Sequence, residues 1–149
     1  MEKPKRPMTL EESSIFVNVK KLRRLLWWAT FNMMPCAKAT MGRRMLSVCG
    51  EVLGNYTLAY LLREGKLEYL TQAVAHFAEL RIDIEQALED NIFHFPKRKT
   101  KNKTGAPEEE VSTRKVELLA LVAKIDSEMC GWLRSLSQGT IVRAERAAV

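Results

Sequence analysis

Clustered cations are the residues of this sequence whose type and spacing point most clearly to a chemistry. Seven lysines and arginines fall within 25 residues, and no Asp or Glu occurs between Ser13 and Gly50. An ordinary charged helix surface usually has acids spaced three or four residues from its cations. The pattern therefore favours contact with the phosphates of a nucleic acid, or with another polyanion, over a merely solvated surface. The candidate phosphate-binding residues are Lys20, Lys21, Arg23, Arg24, Lys38, Arg43 and Arg44.

A second group of cations follows later in the chain, in a stretch without acids. Its members are Lys97, Arg98, Lys99, Lys101 and Lys103. Two interpretations stay open. The group is either a flexible second arm on the same polyanion, or a solvated linker whose charge is balanced by the glutamates at 108–110.

Catalytic chemistry is not indicated. His76 and His94 lie far apart, and neither belongs to the Glu-x-x-His pair that a di-iron bundle requires. There is no glycine-rich phosphate loop or metalloprotease helix in the sequence. Cys36, Cys49 and Cys130 are odd in number and form no CxxC pair, which indicates small apolar side chains in a reducing compartment. We therefore expect a protein that is not an enzyme and holds no metal or cofactor.

Charge is sorted by segment along the chain. Residues 1–63 contain eleven Lys and Arg against four Asp and Glu, whereas residues 64–93 contain two against seven. The 149 residues are 46% hydrophobic with a net charge of +6, which suits one domain with an anionic partner. The sequence has no signal peptide pattern and no apolar run of about 20 residues, so a cytoplasmic location without membrane insertion is expected.

Four amphipathic segments must position the cations. Apolar residues recur with helical spacing over about 9–30, 37–63, 67–93 and 112–136, the first opening at a capping box of Thr9 and Glu12. The short turn at 64–66 requires the second and third helices to run antiparallel. The pattern predicts an all-α, antiparallel up-and-down four-helix bundle over 9–136, with no strand. A basic segment at 1–8, a mobile basic loop at 94–111 and a tail at 137–149, after a stop at 137–139, complete the organisation.

Several other residues suggest contacts within or beyond the bundle. Gly42, Gly50 and Gly54 suit places where another helix packs unusually close. Of Trp27 and Trp28, one can enter the core while the other points away, either as a partner contact or as a cap on the end of the bundle.

Three stretches, taken in order, resemble the Avd family, the accessory variability determinants of diversity-generating retroelements. After Phe31, a short basic stretch leads to Gly-Arg-Arg at 42–44, which opens a long helix rich in Leu and Val. The third helix reads KLEYLTQAVAHFAELR at 66–81. The last helix closes on Gly131, Trp132, Leu133 and Arg134.

The resemblance implies a small basic bundle that assembles into a barrel-shaped homopentamer, encoded by a bacterium or phage. Members of the family bind nucleic acid and the retroelement reverse transcriptase. They support the error-prone copying of template RNA into cDNA for mutagenic retrohoming. On this basis the basic first and second helices would bind phosphates, while the acidic third helix of a neighbouring subunit helps to close the ring. Gly131 is interpreted as a site of close helix packing, with the indole of Trp132 filling the gap beside it.

Two alternatives belong to other classes. One is the related bundle proteins encoded within insertions of bacterial ribosomal RNA genes. The other is an adaptor bundle that binds an acidic protein and is indifferent to RNA.

Overall fold

Four long helices pack around one apolar core in the computed structural model, which confirms the predicted all-α bundle. The structure describes residues 9–93, 99–101, 107–109 and 113–147, so the predictions for segment 1–8 and for Lys97, Arg98 and Lys103 lie outside the described residues. No helix in the described ranges is long and apolar enough to cross a membrane. The helices are α1 Ser14–Phe31, α2 Pro35–Ala37, α3 Arg43–Leu61, α4 Lys66–Glu89 and α5 Thr113–Ala147.

The four long helices pack in a closed cycle. α1 contacts α3 and α5, α4 contacts the same two helices, and the α3–α4 interface is the most extensive. Each helix contributes large, fully buried side chains, for example Leu22, Tyr56, Phe77 and Ile125. The Tyr56 hydroxyl is hydrogen-bonded to the hydroxyl of Ser13, and burial raises the pKa of Tyr56 above its ordinary value. The core is thus complete within one chain.

The predicted capping box forms, but it opens a 3₁₀ turn at Leu10–Glu12 rather than the α-helix itself. The Thr9 amide donates to the Glu12 carboxylate at 3.1 Å. Backbone at Ser13 is extended, and α1 begins at Ser14. The first helix therefore starts five residues later than predicted.

The junction between α1 and α3 differs most from expectation. The sequence predicts one helix from residue 37, whereas helical backbone begins at Pro35 and passes through a π-helical segment, Lys38–Gly42, before α3. Proline is favourable in the first turn of a helix because its missing N–H has no partner there anyway. Gly42 is buried against the end of α1. A Cβ atom at Gly42 would lie 3.1 Å from the Met33 sulfur and 3.2 Å from Thr30, so close packing holds at this glycine.

The remaining glycines play different parts. Gly65 has a φ of +77°, and this left-handed conformation lets the short turn lead directly into α4. A Cβ atom at Gly50, Gly54 or Gly131 would meet nothing within 4 Å. The close-packing interpretation is therefore wrong for these three positions within the chain. Trp132 is half-buried and packs edge-to-face on Tyr56, with ring centroids 5.5 Å apart.

α5 continues past its predicted end. Residues 137–139 were expected to stop the helix, but it runs to Ala147, so a separate tail from residue 137 is wrong. A single glycine costs a helix only about 1 kcal/mol relative to alanine. No proline follows Gly139, so the helix is not interrupted.

The segment between α4 and α5 contains a feature the sequence does not indicate. β1 Lys99–Lys101 pairs antiparallel with β2 Pro107–Glu109. The register sets Lys99 opposite Glu109 and Thr100 opposite Glu108. The sequence prediction of no strand is wrong here, because three residues are too few to show an alternating pattern.

Candidate nucleic-acid interface

One exposed stripe of α1 combines cations with aromatic rings. Lys20, Arg24, Trp27 and Phe31 follow one another at intervals of four, three and four residues, which places them on one helix face. All four are exposed, with Trp27 67% and Phe31 68% accessible. The stripe is therefore an available surface.

Across from this stripe lie the π-helical segment and the outer face of α3. Between them is an open recess of about 850 Å³, lined on this side by Lys38, Ala39, Arg43 and Leu46. A second recess of about 390 Å³ continues along α1 and is lined on the α3 side by Leu53. Trp27 lines both recesses, so together they form one groove, which we call the α1–α3 groove.

Cations surround this groove without counter-charges. Lys20, Arg23, Arg24, Lys38 and Arg43 line it, and no Asp or Glu among the described residues does so. None of the five forms an ion pair with another described residue. Cations without ion-pair partners can bind phosphates without first breaking an ion pair within the protein.

Some of the cations also contact aromatic rings. The Lys38 ammonium lies 4.5 Å from the centre of the Phe31 ring, and that of Lys20 lies 5.4 Å from the Phe16 ring. Such cation–π contacts hold the ammonium groups beside the groove at little cost, since an exposed contact contributes about 0.5–1 kcal/mol. The groove thus presents positive charge next to flat apolar surface.

Two of the predicted phosphate-binding residues, Lys21 and Arg44, do not line the groove. Lys21 lies at the margin of the groove, beside a shallow recess that Lys20, Arg24 and Glu11 also line. Arg44 lies away from the groove, where its guanidinium is 3.2 Å from Asp83 and 3.8 Å from Glu79 on α4. Arg43 and Arg44 are adjacent in sequence, but Arg43 lines the groove and Arg44 pairs with acids of α4.

Replacing Arg44 by alanine is expected to affect stability rather than RNA binding. The Asp83 carboxylate is 15% exposed and would lose its partner, so we expect the free energy of unfolding to fall by about 1 kcal/mol. RNA affinity should stay within about twofold of wild type, because Arg44 does not line the groove. Urea unfolding and a binding titration on the same preparation would measure both. A large loss of affinity at unchanged stability would contradict this prediction and show that Arg44 contacts the RNA.

The second group of predicted cations is described only in part. Lys99 and Lys101 belong to β1, where the register sets Lys99 opposite Glu109 and Lys101 opposite Pro107.

His76 lies on the same side of the bundle as Arg44. Its Nδ1 is 3.3 Å from a Glu51 oxygen and 3.7 Å from a Glu79 oxygen. Among the described residues, no group of three or more His, Cys, Asp or Glu side chains is arranged to hold a metal ion. The Glu51 contact links α3 to α4, whereas Glu79 and His76 both belong to α4.

The three cysteines differ in solvent accessibility, so we expect them to react with thiol reagents at different rates. Cys36 is exposed, whereas burial raises the pKa of the Cys49 thiol from 9.0 to about 11, partly offset by the charge of Arg23. Burial and the neighbouring Asp126 also raise the pKa of Cys130.

At pH 8 we therefore expect a thiol reagent to modify Cys36 first and Cys49 only after unfolding. Because the folded state holds the Cys49 proton more tightly, stability should decline as pH rises from 9.0 towards 11. Mass spectrometry of alkylated peptides over time would test the order, and rapid native labelling of Cys49 would contradict it.

Sequence reasoning identified the cations of the groove but missed part of its lining. Trp27 is the outward member of its pair, while Trp28 is half-buried with the Arg114 guanidinium 5.6 Å from its ring. Phe31 and Leu46 were not anticipated as site residues. The signal was present for Phe31, since it continues the helical spacing of Lys20, Arg24 and Trp27 by one further turn.

Comparison with known proteins identifies no family for this chain. No protein-family model matches it, and neither does any curated protein sequence.

Proposed function

We propose that this protein is a non-catalytic accessory protein of a diversity-generating retroelement, acting in the cytoplasm. It binds template RNA, and cDNA made from it, through the α1–α3 groove and associates with the reverse transcriptase. The observation that supports the proposal best is the set of five cations lining one apolar groove, with no acid in its lining among the described residues. The resemblance to the Avd family supplies the biological context.

In this proposal the protein binds and the polymerase catalyses. Phosphates contact Lys20, Arg23, Arg24, Lys38 and Arg43, and each neutralised phosphate releases condensed counterions, so affinity falls as salt rises. Bringing RNA and polymerase onto one small scaffold would raise the effective concentration of template at the enzyme. In this proposal the nucleophile and general base of the reaction belong to the polymerase.

The proposal includes an antiparallel up-and-down order of the helices. Two contacts between α3 and α4 support it: Arg44 meets Asp83 near one end, and Glu51 meets His76 further along. Residue numbers thus rise along α3 as they fall along α4.

We also propose a barrel-like homo-oligomer, which the family resemblance suggests is a pentamer. α4 offers a surface for it, since Ile82 is 64% exposed and Glu68 and Glu89 are exposed without an ion pair to another described residue. Such acids could meet cations of a neighbouring subunit, though Glu79 and Asp83 are already engaged by Arg44.

The proposal requires a reverse transcriptase gene at the same locus, and co-expression with that enzyme tests the function. A pull-down should recover a complex, and nuclease treatment distinguishes its two possible bases. Survival of the complex would establish a protein–protein interface, and loss would show that RNA bridges the partners. Failure to form a complex, with or without the RNA of the locus, would contradict the accessory role.

A further inference from the structure

We propose that the α1–α3 groove binds an unpaired segment of RNA, with exposed bases stacked on Trp27 and Phe31 and the neighbouring phosphates held by the surrounding cations. The inference rests on the proposed function, which requires RNA binding, and adds which form of RNA is bound and by which side chains. Proteins that bind single strands combine a basic groove with aromatic stacking surfaces, because a single strand exposes both phosphates and base faces.

The two rings are placed for neighbouring bases. Trp27 and Phe31 are four residues apart on α1, so they lie about 6 Å apart along the helix axis and on the same face. Both are about two-thirds exposed, although large aromatic side chains are usually covered in a folded protein. The rings therefore present their surface to the groove rather than to the core.

Cations lie beside each ring. Arg23 and Arg24 line the recess that Trp27 shares, and Lys38 and Arg43 line the recess that contains Phe31. A base stacked on either ring would thus have positive charge within reach of its own phosphate. The planar guanidinium groups can also stack on bases themselves.

The groove has room for a ligand. Its α3 side is formed by Leu46 and Leu53, seven residues apart, and Gly50 falls between them on the same helical face. A Cβ atom at Gly50 would meet nothing within 4 Å, so no other part of the chain fills the space above this glycine. Apolar side chains on either side can cover the edges of an inserted base.

Charge complementarity distinguishes the candidate occupants. A duplex could satisfy the cations, but its stacked bases would leave Trp27 and Phe31 uncovered. An acidic protein segment could also approach the groove, yet aromatic rings interleaved with three arginines match bases and phosphates more fully. A single-stranded segment is the occupant that uses both parts of the lining.

The test compares Trp27→Ala and Phe31→Ala with Leu61→Ala, which removes an equally exposed apolar side chain from the end of α3, outside the groove. The probes are an unstructured 12-nucleotide RNA and the same RNA annealed to its complement. Each aromatic variant should bind the single strand about 5- to 150-fold more weakly. Its duplex affinity should stay within about twofold of wild type, since every cation remains. Leu61→Ala should bind both probes as wild type does.

Other outcomes separate this inference from the proposed function. If the aromatic variants bound the single strand as tightly as wild type, stacking would be refuted while RNA binding by the cations would stand. Equal weakening for both probes would also refute it, since the rings would then merely support the surface. If wild type bound neither probe, the inference and the proposed RNA-binding role would both fail. Loss of the polymerase complex alone in these variants would identify the groove as a protein interface instead.

Discussion

Replacing Arg24 and Arg43 together by glutamate is expected to weaken RNA binding by about 30- to 700-fold at low salt. Each arginine lines the α1–α3 groove from a different side and has no ion-pair partner among the described residues. Two unit charges 4 Å apart in water interact by about 1 kcal/mol. Reversal removes one attraction and adds one repulsion at each position, which is about 4 kcal/mol in total at 4 Å and about half of that where the phosphates lie twice as far away.

Salt dependence gives an independent check on the same variant. Loss of two phosphate contacts should reduce the slope of log affinity against log salt by about 1.4 for a single strand. Fluorescence anisotropy with labelled RNA at several salt concentrations measures both the slope and the affinity. Because neither arginine is buried, thermal unfolding should remain close to that of wild type.

A matched control separates the position of the charges from their number. Lys124 and Arg134 on α5 are exposed and lie outside the groove, and changing both to glutamate alters the net charge by the same amount. This control should lose much less affinity than the Arg24 and Arg43 variant. Equal losses would show that overall charge, rather than the groove, governs binding.

Replacing Phe77 by alanine should have the largest effect on stability. Phe77 is 1% exposed on α4, within the shared core. Truncating a buried phenylalanine removes its transfer free energy and leaves a cavity, so the free energy of unfolding should fall by about 3–5 kcal/mol. Urea denaturation monitored by circular dichroism would measure this loss.

The control for that variant lies on the same helix. Ile82 is 64% exposed, so Ile82→Ala should change the stability of the isolated chain by less than about 1 kcal/mol. If Phe77→Ala were as mild as the control, the core would not be closed within one chain as the structure has it. If instead Ile82→Ala proved strongly destabilising, another subunit would have to cover that face.

Helical periodicity was enough to predict the bundle. Apolar residues such as Leu22, Val52, Phe77 and Ile125 recur at three- and four-residue intervals, and each is buried. The same spacing predicted which cations of α1 face outward, because residues between the apolar positions must lie on the other faces. These are consequences of local geometry, which a single sequence displays.

Contacts between distant segments were harder to predict. Arg43 and Arg44 are adjacent in sequence, and only the position of α4 shows that Arg44 pairs with Asp83 while Arg43 lines the groove. The π-helical segment Lys38–Gly42 was not predicted, although Gly42 was expected to pack closely and does so against Met33. Gly131 has no such neighbour within the chain, and a glycine in a sequence does not by itself show whether a neighbour is present.

Photochemical crosslinking of bound RNA, followed by mass spectrometry of the attached peptides, tests most directly whether the α1–α3 groove is the RNA-binding surface. Short-wavelength light joins bases to side chains they touch, so the readout is the position of contact rather than a change in affinity. Crosslinks should concentrate on Trp27, Phe31 and the peptide that contains Lys38 and Arg43. Crosslinks confined to α4 or α5, with the groove peptides unmodified, would contradict this placement of the RNA.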